Sequence, residues 1–300
     1  MTGNLHTHTN FSDGTAPPEA YIEEAKRLGF SVLGFSDHSP VPFPNTFAIP
    51  EGGLGGYVTA IQKLASQQSA VGSLQSSSIP DPSSGIWHLA TDIEILLGLE
   101  YDYIPGLTTP LKKLREDYVF DYVIGSVHLV RNHRPDLLWF IDGPQSKTYD
   151  KGIREVFGGD SKKAITAYWR QLQEMVIVEE PDIIGHLDKI KMHNHDRYFR
   201  EDEPWYLVLA EETLELIREK NAVVEVNTRG IYKQRSESLF PGPELLKIIH
   251  ARNIPITLAS DAHHPDELSL FFPETKQLLK DVGFRYTWLL TTEGWKESAL

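Results

Sequence analysis

Short apolar segments alternate along this chain with longer stretches in which apolar residues recur every three or four positions. Segments of the first kind predict buried strands, and stretches of the second kind predict amphipathic helices. Seven segments predict strands, and almost all of them precede a helix or a long loop: residues 5–9, 30–35, 93–99, 122–127, 183–185, 223–226 and 256–259. This alternation favours a parallel barrel over a sandwich, so we predict a seven-stranded α/β barrel.

Two stretches depart from this pattern. Residues 66–91 are rich in Ser and Gln and lack a hydrophobic period, which predicts a flexible surface insertion. Residues 131–160 contain prolines and paired glycines, which predicts mainly loop. A chain of 300 residues with 40% hydrophobic content can bury a large core, so we expect a single domain over residues 1–300.

Composition narrows the possible partners. The chain has 29 basic and 42 acidic residues and a formal charge of -13, so we expect no nucleic-acid partner. Cysteine is absent, and any metal must therefore be held by His and carboxylate side chains. The sequence has neither a signal-like N-terminus nor an apolar run of membrane-spanning length, so we expect a cytoplasmic protein without a membrane partner. It does not indicate an oligomeric state.

Side chains that can bind metals follow six of the seven predicted strands. The active site of such a barrel lies at the C-terminal ends of its strands, so these side chains should meet there. Taken singly, each could be a turn residue or a hydrogen-bonded core histidine, but burying so many together would cost several kcal/mol per charge without cations. We therefore predict a metal centre with these ligands: His6, His8, Asp13, His38, Glu100, His128, His186, Asp261 and His263.

The motifs that contain these residues resemble those of the PHP (polymerase and histidinol phosphatase) superfamily. They are His6-Thr7-His8, Asp13, Ser36-Asp37-His38, Gly98-Leu99-Glu100, Gly125-Ser126-Val127-His128, Gly185-His186 and Asp261-Ala262-His263. The resemblance looks closest to the histidinol-phosphatase branch, because Asp13 stands where some relatives carry His. It implies a distorted TIM-like (β/α)7 barrel.

The same resemblance implies three divalent ions, which could be Zn, Mn or Fe. One ion would bind His6, His8, Glu100 and Asp261. A second would share Glu100 and add His128 and His186, and a third would bind Asp13, His38 and His263. Glu100, Asp261 and His263 are the expected catalytic residues. The implied reaction is hydrolysis of a small phosphate monoester, L-histidinol phosphate above all, by a hydroxide held between metals.

A phosphate dianion also needs cationic side chains, and we predict Arg229, Lys191 and Arg131 for this role, although each could equally be a solvated surface charge. Asp37 and the serines beside the ligands are expected to orient imidazoles or carboxylates by hydrogen bonds.

Other functions remain open from the sequence. One is a PHP-type nucleotide phosphatase or exonuclease, although the charge of -13 argues against a polynucleotide substrate. Another is an amidohydrolase-type barrel, which would leave His38 and the Asp261/His263 pair without a role. A noncatalytic metal-binding regulatory protein is a third, and it would be favoured if a ligand were missing.

Overall fold

The computed structural model of this chain describes residues 1–75, 93–132 and 137–300. The strands in these ranges are β1 (Gly3–Asn4), β2 (Val32–Phe35), β3 (Glu94–Asp102), β4 (Tyr122–Ser126), β5 (Leu129–Arg131), β6 (Leu138–Phe140), β7 (Ile183–Ile184), β8 (Val223–Asn227), β9 (Ile256–Ala259), β10 (Tyr286–Thr291) and β11 (Gly294–Ala299). The α-helices are α1 (Pro18–Arg27), α2 (Leu54–Gln75), α3 (Leu111–Asp117), α4 (Ser146–Phe157), α5 (Ser161–Val178), α6 (Pro204–Glu219), α7 (Arg229–Tyr232), α8 (Pro243–Ala251) and α9 (Phe272–Val282). None of these helices is both long enough and apolar enough to span a membrane.

Seven strands of the described chain form one parallel sheet in the order β1-β2-β3-β4-β7-β8-β9. The two edges of this sheet approach each other, because the His8 N–H donates to the Ala262 carbonyl at 2.8 Å and the Ala262 N–H donates to the His6 carbonyl at 3.1 Å. The sheet is therefore nearly closed into a barrel, and the predicted seven-stranded α/β barrel is confirmed.

Proline marks the beginning of several helices outside the barrel. Helices α1, α6 and α8 begin at Pro18, Pro204 and Pro243, where the fixed φ of proline suits a helix and its missing N–H leaves no bond unmade. Each helix buries an apolar face against the outside of the sheet, as α1 does with Tyr21 and Ile22. These faces form the main hydrophobic core of the protein.

The inside of the barrel has a smaller core near the N-terminal ends of the strands. Tyr122 fills much of it, and its ring lies so close to β2 and β3 that a Cβ at Gly34 or Gly98 would fall within 2.1–2.3 Å of its atoms. Leu289 and Leu290 of β10 join this core, so the antiparallel β10–β11 hairpin covers that end of the barrel. The opposite end, where the strands finish, is left for the functional site.

The structure departs from the sequence predictions in three places. Helix α2 continues to Gln75, so residues 66–75 are helical rather than an irregular insertion, whereas residues 76–91 of that prediction lie outside the described residues. Ala, Leu and Gln in this stretch have favourable intrinsic helix propensity, which a search for a hydrophobic period does not detect. The predicted loop 131–160 contains β6 and α4, and the first sheet strand is Gly3–Asn4 rather than 5–9.

Candidate metal centre

A cavity of about 460 Å³ opens at the C-terminal ends of the strands. Six of the nine predicted ligands line it: Asp13, His38, Glu100, His128, Asp261 and His263. The other three, His6, His8 and His186, are buried and reach the same place through Glu100. The structure therefore brings all nine predicted ligands together.

Glu100, in β3, lies at the centre of this group. Five imidazole nitrogens lie within 3.5 Å of its carboxylate: His6 Nε2 at 3.2 Å, His8 Nε2 at 3.3 Å and His38 Nδ1 at 3.1 Å from Oε2, with His186 Nε2 at 3.0 Å and His128 Nε2 at 3.5 Å from Oε1. The Ser126 hydroxyl donates to Oε1 at 2.6 Å, which holds the carboxylate in place. A carboxylate shared in this way is suited to bridging two ions.

Asp13 reaches the centre because of the tight loop that follows His8. A Cβ at Gly14 would lie 2.2 Å from the His8 carbonyl oxygen, so only glycine fits there. Asp37 accepts hydrogen bonds from Thr9 N–H at 2.8 Å and from the Ser12 hydroxyl at 2.6 Å. Asp37 therefore holds the loop that carries Asp13, and the prediction that it orients an imidazole is wrong.

On the other side of the cavity, Asp13 faces the segment that follows β9. The His263 Nε2 atom lies 3.2 Å from Asp13 Oδ1, and His8 Nε2 lies 3.3 Å from Asp261 Oδ1. Asp261 has a φ of 54°, a conformation that residues with a Cβ rarely adopt. Backbone strain of this kind is typical of positions whose side chain must point to a functional site.

Several atoms in this cluster are buried without a hydrogen-bond partner among the described residues. They are His6 Nε2, both ring nitrogens of His8, Asp13 Oδ1 and His186 Nδ1. Buried polar atoms are almost always paired, so such a set indicates a missing partner. Four groups have His nitrogens and carboxylate oxygens all within 4.8 Å of one another: His8/Asp13/His38/His263, His6/His8/Asp261, His6/Glu100/His186 and His38/Asp102/His128. Nitrogen and oxygen donors in this number fit divalent ions such as Zn, Mn or Fe.

The local charges give the imidazoles different pKa values. Burial, together with the neighbouring His263 and His38, lowers the pKa of His8 to about 3, and burial beside Lys189 lowers that of His186 to about 4. Burial also acts to lower the pKa of His38, but Glu100 and Asp102 outweigh it and raise the pKa to about 10. The imidazoles of His8 and His186 are therefore neutral at pH 7 and can bind a metal ion directly. A metal ion that binds His38 must first displace a proton.

Two carboxylates that the sequence analysis did not select hold three of the imidazoles and the backbone of a fourth histidine. Asp102 lies 3.0 Å from His38 Nδ1 and 2.7 Å from His128 Nδ1. Glu225 lies 2.5 Å from His6 Nδ1 and accepts the His186 backbone N–H at 2.7 Å. The sequence contained a signal for both. Asp102 follows Glu100 by two positions in the same strand and so projects to the same side, and Glu225 interrupts the apolar segment 223–226.

Among the residues that the structure describes, four cationic side chains line the cavity: Lys189, Arg229, Lys233 and Arg235. The Arg229 guanidinium donates to the Asp261 carbonyl at 2.6 Å, and the Lys189 ammonium lies 3.0 Å from Asp142 and 3.7 Å from Asp261. The structure thus places Arg229 where the sequence predicted a phosphate-binding residue, and it adds Lys189, which the sequence analysis did not select.

The structure does not bring Lys191 and Arg131, the other two residues predicted for this role, to the cavity. The Lys191 ammonium is buried between Asp188 at 2.8 Å and Glu201 at 3.1 Å, and the Arg131 guanidinium donates to the Pro105 carbonyl. Neither residue is among the described residues that line the cavity. For Lys191 the reason is geometric, because a 3-10 turn spans residues 189–191 and turns successive side chains to different sides.

Two proteins of known sequence are similar to this chain over most of its length. A protein of Deinococcus radiodurans named "Probable histidinol-phosphatase" is 29% identical over 290 residues, which cover 95% of this chain and 96% of that protein. The histidinol-phosphatase of Bacillus subtilis is 24% identical over 274 residues, covering 88% of this chain and 94% of that protein.

A solved structure also has the same fold. The histidinol phosphate phosphatase of Lactococcus lactis, complexed with Zn, L-histidinol and phosphate, has a TM-score of 0.66 at 20% identity and covers 98% of both chains. At this identity the likeness establishes the fold alone. The family model described as PHP domain matches residues 4–229, with Asp261 and His263 beyond the match. Because that match covers most of the chain, this protein belongs to the PHP domain family.

Proposed function

We propose that this chain is a metal-dependent phosphate monoester hydrolase that acts on L-histidinol phosphate. The observation that carries this proposal is the convergence of the nine predicted ligands on one cavity, with unpartnered imidazole nitrogens facing carboxylate oxygens. The name of the Deinococcus radiodurans relative supports the substrate, as do the L-histidinol and phosphate of the Lactococcus lactis structure.

The arrangement of the ligands favours three ion positions. His6, His8, Glu100 and Asp261 would form the first, because His6 Nε2 and His8 Nε2 both lie within 3.8 Å of an oxygen of each carboxylate. The second would be formed by Glu100 with His128 and His186, whose Nε2 atoms are 3.2 Å apart. The third would be formed by Asp13, His38 and His263.

Divalent ions bound at these positions would supply water of lowered pKa and positive charge for the phosphoryl oxygens. The side chains of this protein would then bind and orient the ester. Arg229 and Lys189 line the cavity beside Asp261, where their charges would hold a phosphate dianion next to Glu100, Asp261 and His263. We propose these three ligands as the catalytic residues. The chain lacks cysteine, and we propose direct hydrolysis without a covalent enzyme intermediate.

The aromatic part of the cavity wall, which begins beside His38, suits the organic half of the proposed substrate. Phe47 and Phe140 stack with ring centroids 6.1 Å apart, and both line the cavity. Aromatic faces of this kind pack well against a flat ring such as imidazole. Asp142 also lines the cavity, and its Oδ1 atom is buried without a hydrogen-bond partner among the described residues. This oxygen would accept a hydrogen bond from the ammonium group of L-histidinol phosphate.

The test is a side-by-side measurement of phosphate release from L-histidinol phosphate, a mononucleotide and a short oligonucleotide. The protein is first stripped of metal with a chelator and then supplied with Mn or Zn, and its metal content is measured in the same samples. We expect turnover of L-histidinol phosphate to exceed that of the other substrates and to require the metal.

Other results would point to the alternatives. Faster turnover of the mononucleotide or oligonucleotide would replace the proposed substrate and favour a nucleotide phosphatase or exonuclease. Tight metal binding without release of phosphate from any of the three compounds would favour a noncatalytic metal-binding protein. A protein that binds no metal would overturn the proposal altogether.

A further inference from the structure

Glu225 is a buried carboxylate that lies below the proposed ions rather than among their ligands. It projects from β8 into the barrel, is 0% exposed, and does not line the cavity. A buried carboxylate is costly unless several donors satisfy it. Glu225 has three such donors, and two of them belong to His6 and His186, which are ligands of different proposed ions.

The two oxygens of Glu225 have different partners. Oε1 lies 2.5 Å from His6 Nδ1. Oε2 accepts the His186 backbone N–H at 2.7 Å and the Asn227 side-chain amide at 3.1 Å. Both partners of Oε2 are N–H groups, which can only donate hydrogen bonds. A glutamine in place of Glu225 would therefore place its single carbonyl oxygen at this position. Its NH2 group would then face His6 Nδ1.

The contact at Oε1 sets which nitrogen of His6 is available. With a carboxylate beside Nδ1, the ring keeps its proton on Nδ1 and presents Nε2, which lies 3.2 Å from Glu100 Oε2. In Glu225→Gln, Nδ1 of His6 would face an NH2 group and would have to accept a hydrogen bond from it. The ring proton would then move to Nε2. A protonated Nε2 cannot bind a metal ion.

The contact at Oε2 holds a strained residue. His186 has a φ of 25°, outside the regions that residues with a Cβ normally occupy. Its N–H is fixed by Glu225, and its Nε2 lies 3.0 Å from Glu100 Oε1. Glu225 also reaches Asp261 through the Asn227 amide, which lies 3.3 Å from Asp261 Oδ2.

From these contacts we infer that Glu225 is a positioning residue that sets the affinity of the centre for divalent ions by holding His6 and His186 in their ligating geometry. This inference rests on the proposed metal centre but not on the proposed substrate. Loss of a carboxylate that orients a ligating histidine typically weakens metal binding about 10- to 100-fold. We expect a loss of that size when Glu225 is changed to glutamine.

The experiment compares wild type with Glu225→Gln and with a matched control, Thr257→Val. Thr257 pairs with Glu225 across β8 and β9, is 1% exposed, and has a hydroxyl without a hydrogen-bond partner among the described residues. Dissociation constants for Zn or Mn are measured by competition with a chelator, and circular dichroism of the metal-free proteins checks their fold.

We expect Glu225→Gln to bind the ions about 10- to 100-fold more weakly than wild type and Thr257→Val to bind them with unchanged affinity. Because this readout needs no turnover, a wrong substrate would leave it intact. Folded Glu225→Gln protein that binds metal as tightly as wild type would overturn the inference.

A measurement on the wild-type protein covers the case in which Glu225→Gln does not fold. Nuclear magnetic resonance of the zinc-loaded protein with 15N-labelled histidine reports which ring nitrogen of His6 carries the proton. A proton on Nδ1 supports the role of Glu225, and zinc bound through Nδ1 contradicts it.

Discussion

Asp142→Asn offers a direct test of how the cavity would recognise its substrate. The Asp142 side chain is 11% exposed, and its Oδ2 atom lies 3.0 Å from the Lys189 ammonium. Its other oxygen, Oδ1, has no hydrogen-bond partner among the described residues. Asparagine has nearly the same shape and can still accept from Lys189, so the change removes the negative charge and leaves the packing in place.

The expected effect follows from the interaction that would be lost. A hydrogen bond to a charged group contributes about 1.5–3 kcal/mol, and each 1.4 kcal/mol changes a rate or affinity about tenfold. We therefore expect kcat/KM for L-histidinol phosphate to fall about 10- to 150-fold, mainly through KM. The change also weakens the buried ion pair between Asp142 and Lys189, so we expect a loss of stability in denaturant unfolding, while circular dichroism shows a native fold.

The control is a second substrate without the ammonium group, such as an aryl phosphate, assayed with both proteins. Asp142→Asn should lose far less activity on that compound, because it has no ammonium group to interact with Asp142. An equal loss on both substrates would show that Asp142 acts on the centre itself, since its Oδ2 lies 3.7 Å from His128 Nε2. Metal content measured in both proteins would then identify the cause.

Four further substitutions test other parts of the proposed site. His128→Ala should abolish phosphate release and keep the protein folded, as measured by turnover and circular dichroism, because it removes a proposed ligand at the cavity; wild-type turnover would remove the second ion position. Lys189→Met should lower kcat/KM for phosphate esters, whereas folded Lys191→Met should keep a kcat/KM close to wild type. Both changes break a buried ion pair, so both should lower stability by about 3–5 kcal/mol in denaturant unfolding; a loss of kcat/KM in Lys191→Met alone would restore Lys191 as a phosphate-binding residue. Gly14→Ala should reduce metal binding in a chelator competition, because its Cβ would displace the loop that carries Asp13; unchanged binding would show that this loop adapts.

The barrel and the convergence of the nine proposed ligands could be predicted from the sequence for the same reason. In a parallel barrel, side chains at the ends of strands must meet, so finding the strands also locates the ligands. The direction in which a side chain points beyond the end of a strand cannot be predicted in this way. Lys189 and Lys191 are two positions apart in a 3-10 turn, and only the backbone shows which of them faces the cavity.

Partners inside the barrel were harder to predict for a related reason. Glu225 belongs to β8, and two of its three donors come from the segments that follow β1 and β7, so their meeting depends on how the sheet curves. The sequence analysis made helix α2 too short, because the Ser- and Gln-rich residues from 66 onward give no hydrophobic period in the sequence. Local pattern therefore predicts elements and strand ends well, whereas contacts across the barrel require coordinates.

The near closure of the sheet links the proposed metal centre to the folding of the chain. His6 and His8 lie close to the beginning of the chain and Asp261 and His263 close to its end, and the backbone joins them through His8 and Ala262. The complete set of proposed ligands is therefore present only once the chain has been synthesised as far as His263. An ion that takes ligands from both edges of the sheet would oppose the separation of β1 from β9.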